Sequence, residues 1–177
     1  MENRVACADP KFLNVGLAIA ISQEGSYRFA MADSVSHREA EIWIREHGLP
    51  AKMGGRFSKK RLELRSGGRF EFDAVSDDNN LVISIATNGG VTSGGKKATP
   101  KLHKIRSDAL FLLLVETERR MIVLSGRLMF DLVQKEVDAG RFPFEVETLL
   151  IELPIEIEQS LISARKTAAE EVTRFPV

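Results

Sequence analysis

The chain has 177 residues, the size of one ordinary domain. Lysine plus arginine number 25 and aspartate plus glutamate 25, so the chain is not basic throughout, although local patches remain open. Hydrophobic residues at 44% and charged residues at 28% give the balance of a globular domain rather than a disordered tail. The single cysteine, Cys7, excludes an internal disulfide and a multi-cysteine zinc site. Three scattered histidines, His37, His47 and His103, argue against a zinc cluster.

The longest apolar run, Phe12 to Ile21, is interrupted by Asn14 and Gly16 and is shorter than the roughly 20 residues a membrane span needs. Glu2 and Asp9 precede it and Ser22-Gln23-Glu24 follows, which does not suit a secretory signal. The expectation is a cytoplasmic protein with no membrane partner. A lone free thiol agrees with a reducing compartment.

Asp9-Pro10 opens a first predicted helix that runs to about Ile21. Ser36-x-x-Glu39 is a capping-box pattern, and it predicts a second helix ended by Gly48 and Pro50. Residues 54 to 90 read as three strands. Arg61 to Arg65 alternates, Ser66-Gly67-Gly68 is a turn, Arg69 to Val75 alternates again, and Leu81 to Thr87 follows the Asp77-Asp78-Asn79-Asn80 turn. A glycine-rich loop leads to Thr99-Pro100, an N-cap and first-turn pair opening a helix with Leu102, Ile105, Ala109 and Leu112 on one face. Then come a strand at Met121 to Leu124, a helix from Leu128 to Ala139, a strand from Thr148 to Leu153 and a helix from Pro154 to about Val172. The pattern predicts a single α/β domain over residues 1–177. Its mixed central sheet would be a three-strand meander plus further strands, with helices on both faces.

A two-residue turn at Asp78-Asn79 would place Val75 opposite Val82, Asp73 opposite Ser84 and Glu71 opposite Ala86. Strict alternation then puts Phe70, Phe72, Ala74, Ile83, Ile85 and Thr87 on a core face. The other face carries Glu71, Asp73, Val75, Val82, Ser84 and Ala86. Two carboxylates two residues apart can hold Mg²⁺, a hard cation that takes oxygen ligands. The same pair can equally be the wet face of a half-exposed sheet.

The neutral total hides a polarised chain. Lys52 to Arg69 carries a local charge of +6, Lys96 to Arg106 carries +5, and Asp131 to Glu158 carries −6. Both basic stretches flank the Glu71/Asp73 hairpin, so they would form a phosphate-attracting rim if they also flank it in space. The alternative is a solvated charged face. Gly90 to Lys97 nearly matches a P-loop, but Lys97 stands where that loop needs a hydroxyl for magnesium, and the helix opens later at Pro100.

The run Phe70-Glu71-Phe72-Asp73-Ala74-Val75-Ser76, a short turn, Leu81-Val82-Ile83-Ser84-Ile85-Ala86-Thr87, a helix and a strand resembles the core of the PD-(D/E)xK nuclease superfamily. The resemblance spans about residues 36–125 and implies a restriction-endonuclease-like fold of helix, three-strand meander, helix and strand. It further implies a Mg²⁺-dependent endonuclease acting on nucleic acid, in the first instance DNA. Asp73 stands at the family's aspartate. The acid-x-lysine positions fall on Ser84-Ile85-Ala86, which hold neither acid nor lysine. The implied catalytic set is therefore Asp73, Glu71, Lys97 and Ser84, with Asp73 and Glu71 as metal ligands. Lys96 or Lys101 are further stand-ins for the missing lysine, and Glu39 and Glu41 are candidates for a first-helix acid. Lys59, Lys60, Arg61, Lys96, Lys101 and Lys104 would hold phosphates. The departures leave a second reading open: a catalytically degenerate nuclease fold serving as a DNA-binding or interaction subunit.

Overall fold

The structure is a computed structural model that describes residues 35–89 and 99–174, with side chains through Lys166. Cys7, the first predicted helix, and Lys96 and Lys97 lie outside the described residues. No described helix is long and apolar enough to cross a membrane.

Helix α1 is described from residue 35 to 53. It does not stop at Gly48-Pro50. A π turn occupies Ile44–Gly48, the amide of Leu49 reaching back to the carbonyl of Ile44, and an α turn continues over Leu49–Met53. Proline has no N–H to give to residue 46 and its ring crowds that carbonyl; the wider turn accommodates both. The helix ends one turn later, where Gly54 takes φ of +73° and its amide bonds to Pro50 O at 2.9 Å. Ser36 is not a cap here. The backbone is already helical at residue 35, and the Ser36 hydroxyl shares a 3.0 Å hydrogen bond with that of Ser160.

Five strands follow in sheet order identical to chain order: β1 Phe57–Glu63, β2 Arg69–Ser76, β3 Leu81–Ala86, β4 Arg119–Leu124 and β5 Val146–Leu150. β1, β2 and β3 form an antiparallel meander, while β3, β4 and β5 run parallel. Parallel neighbours need crossovers. These are α2 (Thr99–Leu114) and α3 (Arg127–Asp138), and α4 (Ile155–Arg174) follows β5. A mixed five-strand sheet flanked by helices is therefore the architecture. The last strand begins two residues earlier than its sequence pattern suggests.

The two crossover helices share one face of the sheet. Ile105, Ala109 and Leu112 of α2 and Met129 and Val133 of α3 pack in one cluster with Phe72, Val75, Val82 and Ala86. Ile44 and Leu49 of α1 cover the other face with Ala74, Ile83, Ile85 and Val123. β3 is thus buried on both sides, which is why it reads as a continuous apolar run.

That arrangement corrects the expected division of the hairpin into one core face and one wet face. Phe72 pairs with Lys60 but Val75 pairs with Ser58, so Asp73 and Ala74 together face the single residue Lys59. This is a β-bulge, and it shifts the alternation of β2 by one residue. Phe70 and Phe72 therefore pack on the α2 side with Val75, while Ala74 joins Ile83 and Ile85 on the α1 side. Phe70 is half-buried, stacked on Phe111 at 4.1 Å and edge-on to Phe72 at 5.0 Å. Of the expected core, Phe72, Ile83, Ile85, Ile105, Leu112, Val123 and Leu124 are buried, and Leu102 is half-buried.

Phe72 is fully buried where the bulge, β1 and α2 meet. Phe72→Ala is expected to cost about 3–5 kcal/mol, read from urea unfolding. A loss below about 1 kcal/mol would show that the site collapses without it.

Candidate functional site

The ladder between β2 and β3 is confined to Ala74↔Ile83 and Val75↔Val82. The register is that of the expected hairpin. Asp78 organises a wider turn than expected, accepting from Ser76 Oγ at 2.6 Å and from Asn80 N at 3.1 Å, with Asn79 at φ of +59°. Beyond Ala74, toward the C-terminal end of β3, no further rungs form. There the Asp73 carboxylate replaces a backbone acceptor and takes the amide of Ile85 at 2.8 Å.

Three polar side chains of α1 face this gap at helical spacing, His37, Glu41 and Arg45. His37 Nδ1 lies 2.5 Å from the Thr87 hydroxyl, and Arg45 donates to the carbonyl of Asp73 at 3.0 Å. From the other face, Lys104 of α2 contributes its charge; it is held by Asp108 at 2.8 Å, one helical turn on.

Two carboxyl groups in this place have raised pKa values. Burial pushes Asp73 up, while the Ile85 amide and Lys104 pull the other way. Glu41 is pushed up by burial and then by the charge of Asp73, against Lys59, Lys104 and Arg45. Burial thus lifts both acids, the charge of Asp73 adds to the lift on Glu41, and that of Asp108 adds to the lift on Asp73. Glu41 is one of the two first-helix acids expected from the sequence; the other, Glu39, is exposed.

The remaining expected residues are placed differently. Glu71 forms a 2.7 Å ion pair with Lys59, which holds its carboxyl below the usual range. Ser84 is 3% exposed within the sheet. Lys60 donates to Asn79 Oδ1 at 3.0 Å at the turn end of the hairpin. Arg61 is exposed and sits across from Glu71, and Lys101 is half-buried. Much of the basic stretch is thus paired, Arg56 with Asp77 and Arg106 with Glu136 besides. The exposed Arg56–Asp77 pair is weak, whereas Glu136 in the other pair is buried.

The sequence reading missed His37, Arg45 and Asp108 as members of the site. The i, i+4, i+8 spacing on α1 is a visible signal for the first two, whereas Asp108 is identified only by its burial. Among the described residues no three His, Cys, Asp or Glu side chains are gathered as a metal cage. A wide cleft of about 690 Å³ lies at the opposite end of the hairpin, beside Lys52, Arg56, Asp77 and Glu118. It holds the Arg56–Asp77 pair but neither raised carboxyl. Comparison with protein-family models, curated proteins and solved structures matched none of them to this chain.

A carboxyl whose folded pKa is raised binds protons more readily folded than unfolded. Its charged form therefore costs stability, and that cost grows as pH rises from the unfolded value through the raised one. Asp73→Asn, which keeps an acceptor for Ile85, and Glu41→Gln are expected to melt at or above the wild-type temperature at pH 7. The gain should shrink as the pH falls toward 4. Lower melting temperatures at pH 7 would make the carboxylates structural.

Proposed function

We propose that this chain is a Mg²⁺-dependent phosphodiester hydrolase of restriction-endonuclease-like fold acting on nucleic acid, DNA in the first instance. The observation that carries the reading is the half-buried pair Asp73 and Glu41 at the gap between β2 and β3, with Lys59, Lys104 and Arg45 around it. The order helix, meander, helix, strand over α1 to β4 is the order that the resemblance implies. A cytoplasmic location goes with this reading.

The residues suit Mg²⁺. It keeps several waters and needs only one or two carboxylates besides substrate phosphates. Two desolvated acids with raised pKa values are the acids a dication would relieve. Asp73 and Glu41 would hold it, Glu41 taking the part that the sequence reading gave to Glu71. When bound it supplies Lewis-acid polarisation of the phosphate and an activated water. The chain's own part is positioning. The Ile85 amide fixes the Asp73 carboxylate, Arg45 ties α1 to the carbonyl of the same residue, and Lys59 and Lys104 draw in the phosphate.

A second reading, a DNA-binding or interaction subunit without catalysis, is favoured by one feature. The positions that the resemblance assigns to an acid and a lysine, Ser84 and Ala86, are buried in the sheet.

The test is cleavage of DNA and RNA with Mg²⁺ or Mn²⁺ against a chelator control. Asp73→Asn is expected to lower the metal-dependent rate about 100-fold or more, the scale of a lost metal ligand. Glu41→Gln should fall between that and wild type, and Ser84→Ala and Glu71→Gln should stay near wild type. Wild type without metal-dependent cleavage, or Asp73→Asn cleaving equally well, ends the hydrolase reading. In chelator, DNA binding should weaken steeply with salt, and Lys59→Ala with Lys104→Ala should flatten that dependence by about two counterions. Binding absent at low salt would end the subunit reading as well.

A further inference from the structure

The other flank of α1 carries groups that the reading above does not use. Trp43 and His47 follow Glu41 and Arg45 by two residues each, about 200° round the helix. They are four residues apart across the π turn, and their rings are stacked, with centroids 6.1 Å apart and planes 16° from parallel. Rings in full contact stand about 3.5–4.0 Å apart, so at this spacing part of each face is left uncovered by the other. The indole is fixed at its edge. A Cβ at Gly48 would lie 3.3 Å from Trp43 Cζ3 and 2.9 Å from Ile151 Cγ2, so both side chains close on the glycine. The two rings line a groove of about 470 Å³ between α1 and the chain leaving β5, with Ile151 in its wall and Lys52 and Glu152 beside them. That is the size of a small-ligand site. Lys52 and Glu152 are exposed, and neither is in an ion pair among the described residues.

We propose that this groove is a nucleobase subsite: an unpaired base of single-stranded nucleic acid stacks on Trp43 and His47, and Lys52 takes the adjoining phosphate. The inference rests on the nucleic-acid part of the reading above and adds to it a place where a base, as opposed to the backbone, is held. Aromatic faces suit a base because every base has a π face, and such stacking tolerates any sequence. Lys52 opens the basic stretch that runs to Arg69 and supplies the charge that the backbone needs. Glu152 has the opposite sign, which disfavours a bare phosphate in the groove. Its carboxylate is an acceptor for the exocyclic amino group of a base. A flat ring with an amino edge and an anionic tail matches all four side chains at once.

Trp43 is the chain's only tryptophan, so its emission reports this groove alone. The experiment titrates the full chain, in chelator and at low salt, with a short oligodeoxyadenylate and with an abasic strand of the same length. The oligodeoxyadenylate is expected to quench Trp43 saturably and the abasic strand is not. His47→Ala, which keeps the reporter, should weaken the quenching interaction about fivefold or more, the scale of one lost stacking partner. Lys52→Ala should make the slope of log affinity against log salt shallower by about 0.7, one counterion on a single strand. Both side chains are exposed, so both variants should keep the fold. Absent quenching, equal quenching by the abasic strand, or His47→Ala binding as wild type overturns the inference. So does saturable quenching by phenylalanine amide but not by the oligonucleotide, which would make the groove a socket for an aromatic side chain. Metal-dependent cleavage without quenching leaves the hydrolase reading standing and ends this one. Quenching without cleavage does the reverse, and the base subsite then belongs to a binding subunit.

Discussion

Two residues of β2, Asp73 and Ala74, occupy the space opposite one residue of β1, Lys59, and the local structure around them follows from that mismatch. A bulge adds twist and leaves a residue outside the ladder. Here it turns Phe72 and Val75 to the same side of the sheet and ends regular pairing with β3 at Ala74. An unpaired β3 amide in a buried strand is costly, because a donor taken from water needs a partner. The Asp73 carboxylate supplies one at Ile85. The aspartate is thereby held half-buried in a gap instead of lying on a wet face, and its raised pKa follows from that burial.

The helices around the gap meet a second constraint, charge in a partly dry place. Glu41 and Asp73 repel one another, and cations from three elements, Lys59 of β1, Lys104 of α2 and Arg45 of α1, offset the repulsion. None of these cations forms a short ion pair with either acid. Lys59 is matched to Glu71 and Lys104 to Asp108 instead. The contrast with Glu136 is instructive. Its carboxyl, bonded by Arg141 and Arg106, is drawn down to about 2 and joins α2 to the end of α3. Glu136 is neutralised directly by its partners, whereas Asp73 and Glu41 have no such partner in contact and burial keeps their pKa values raised.

α1 serves both constraints. One face buries Ala40, Ile44 and Leu49 against the sheet. The adjacent face carries His37, Glu41 and Arg45 to the gap. Gly48 allows the close approach: a Cβ there would lie 2.9 Å from Ile151 Cγ2. The π turn beside it keeps the helix continuous through Pro50.

Most elements, their order and the hairpin register were legible in the sequence. They depend on local chemistry: apolar periodicity, a turn rich in aspartate and asparagine, and Thr99-Pro100 at a helix start. Val75 opposite Val82 follows from that turn alone. Asp73 was legible too, since its place on the second strand of the meander is a matter of counting. What tertiary structure decided is which groups meet it. Periodicity assumes unbroken alternation, so it could not show a bulge imposed by pairing with β1. It separated Phe72 from Val75 and gave Asp73 the neighbour Glu71, which the fold ties instead to Lys59. Ser84, Glu41, His37 and Asp108 sit on three different elements, and their burial depends on how α1 and α2 pack on opposite faces of β3. Contacts between segments distant in sequence leave no periodic trace, which is why the chain announces the strand that carries the site but not the site itself.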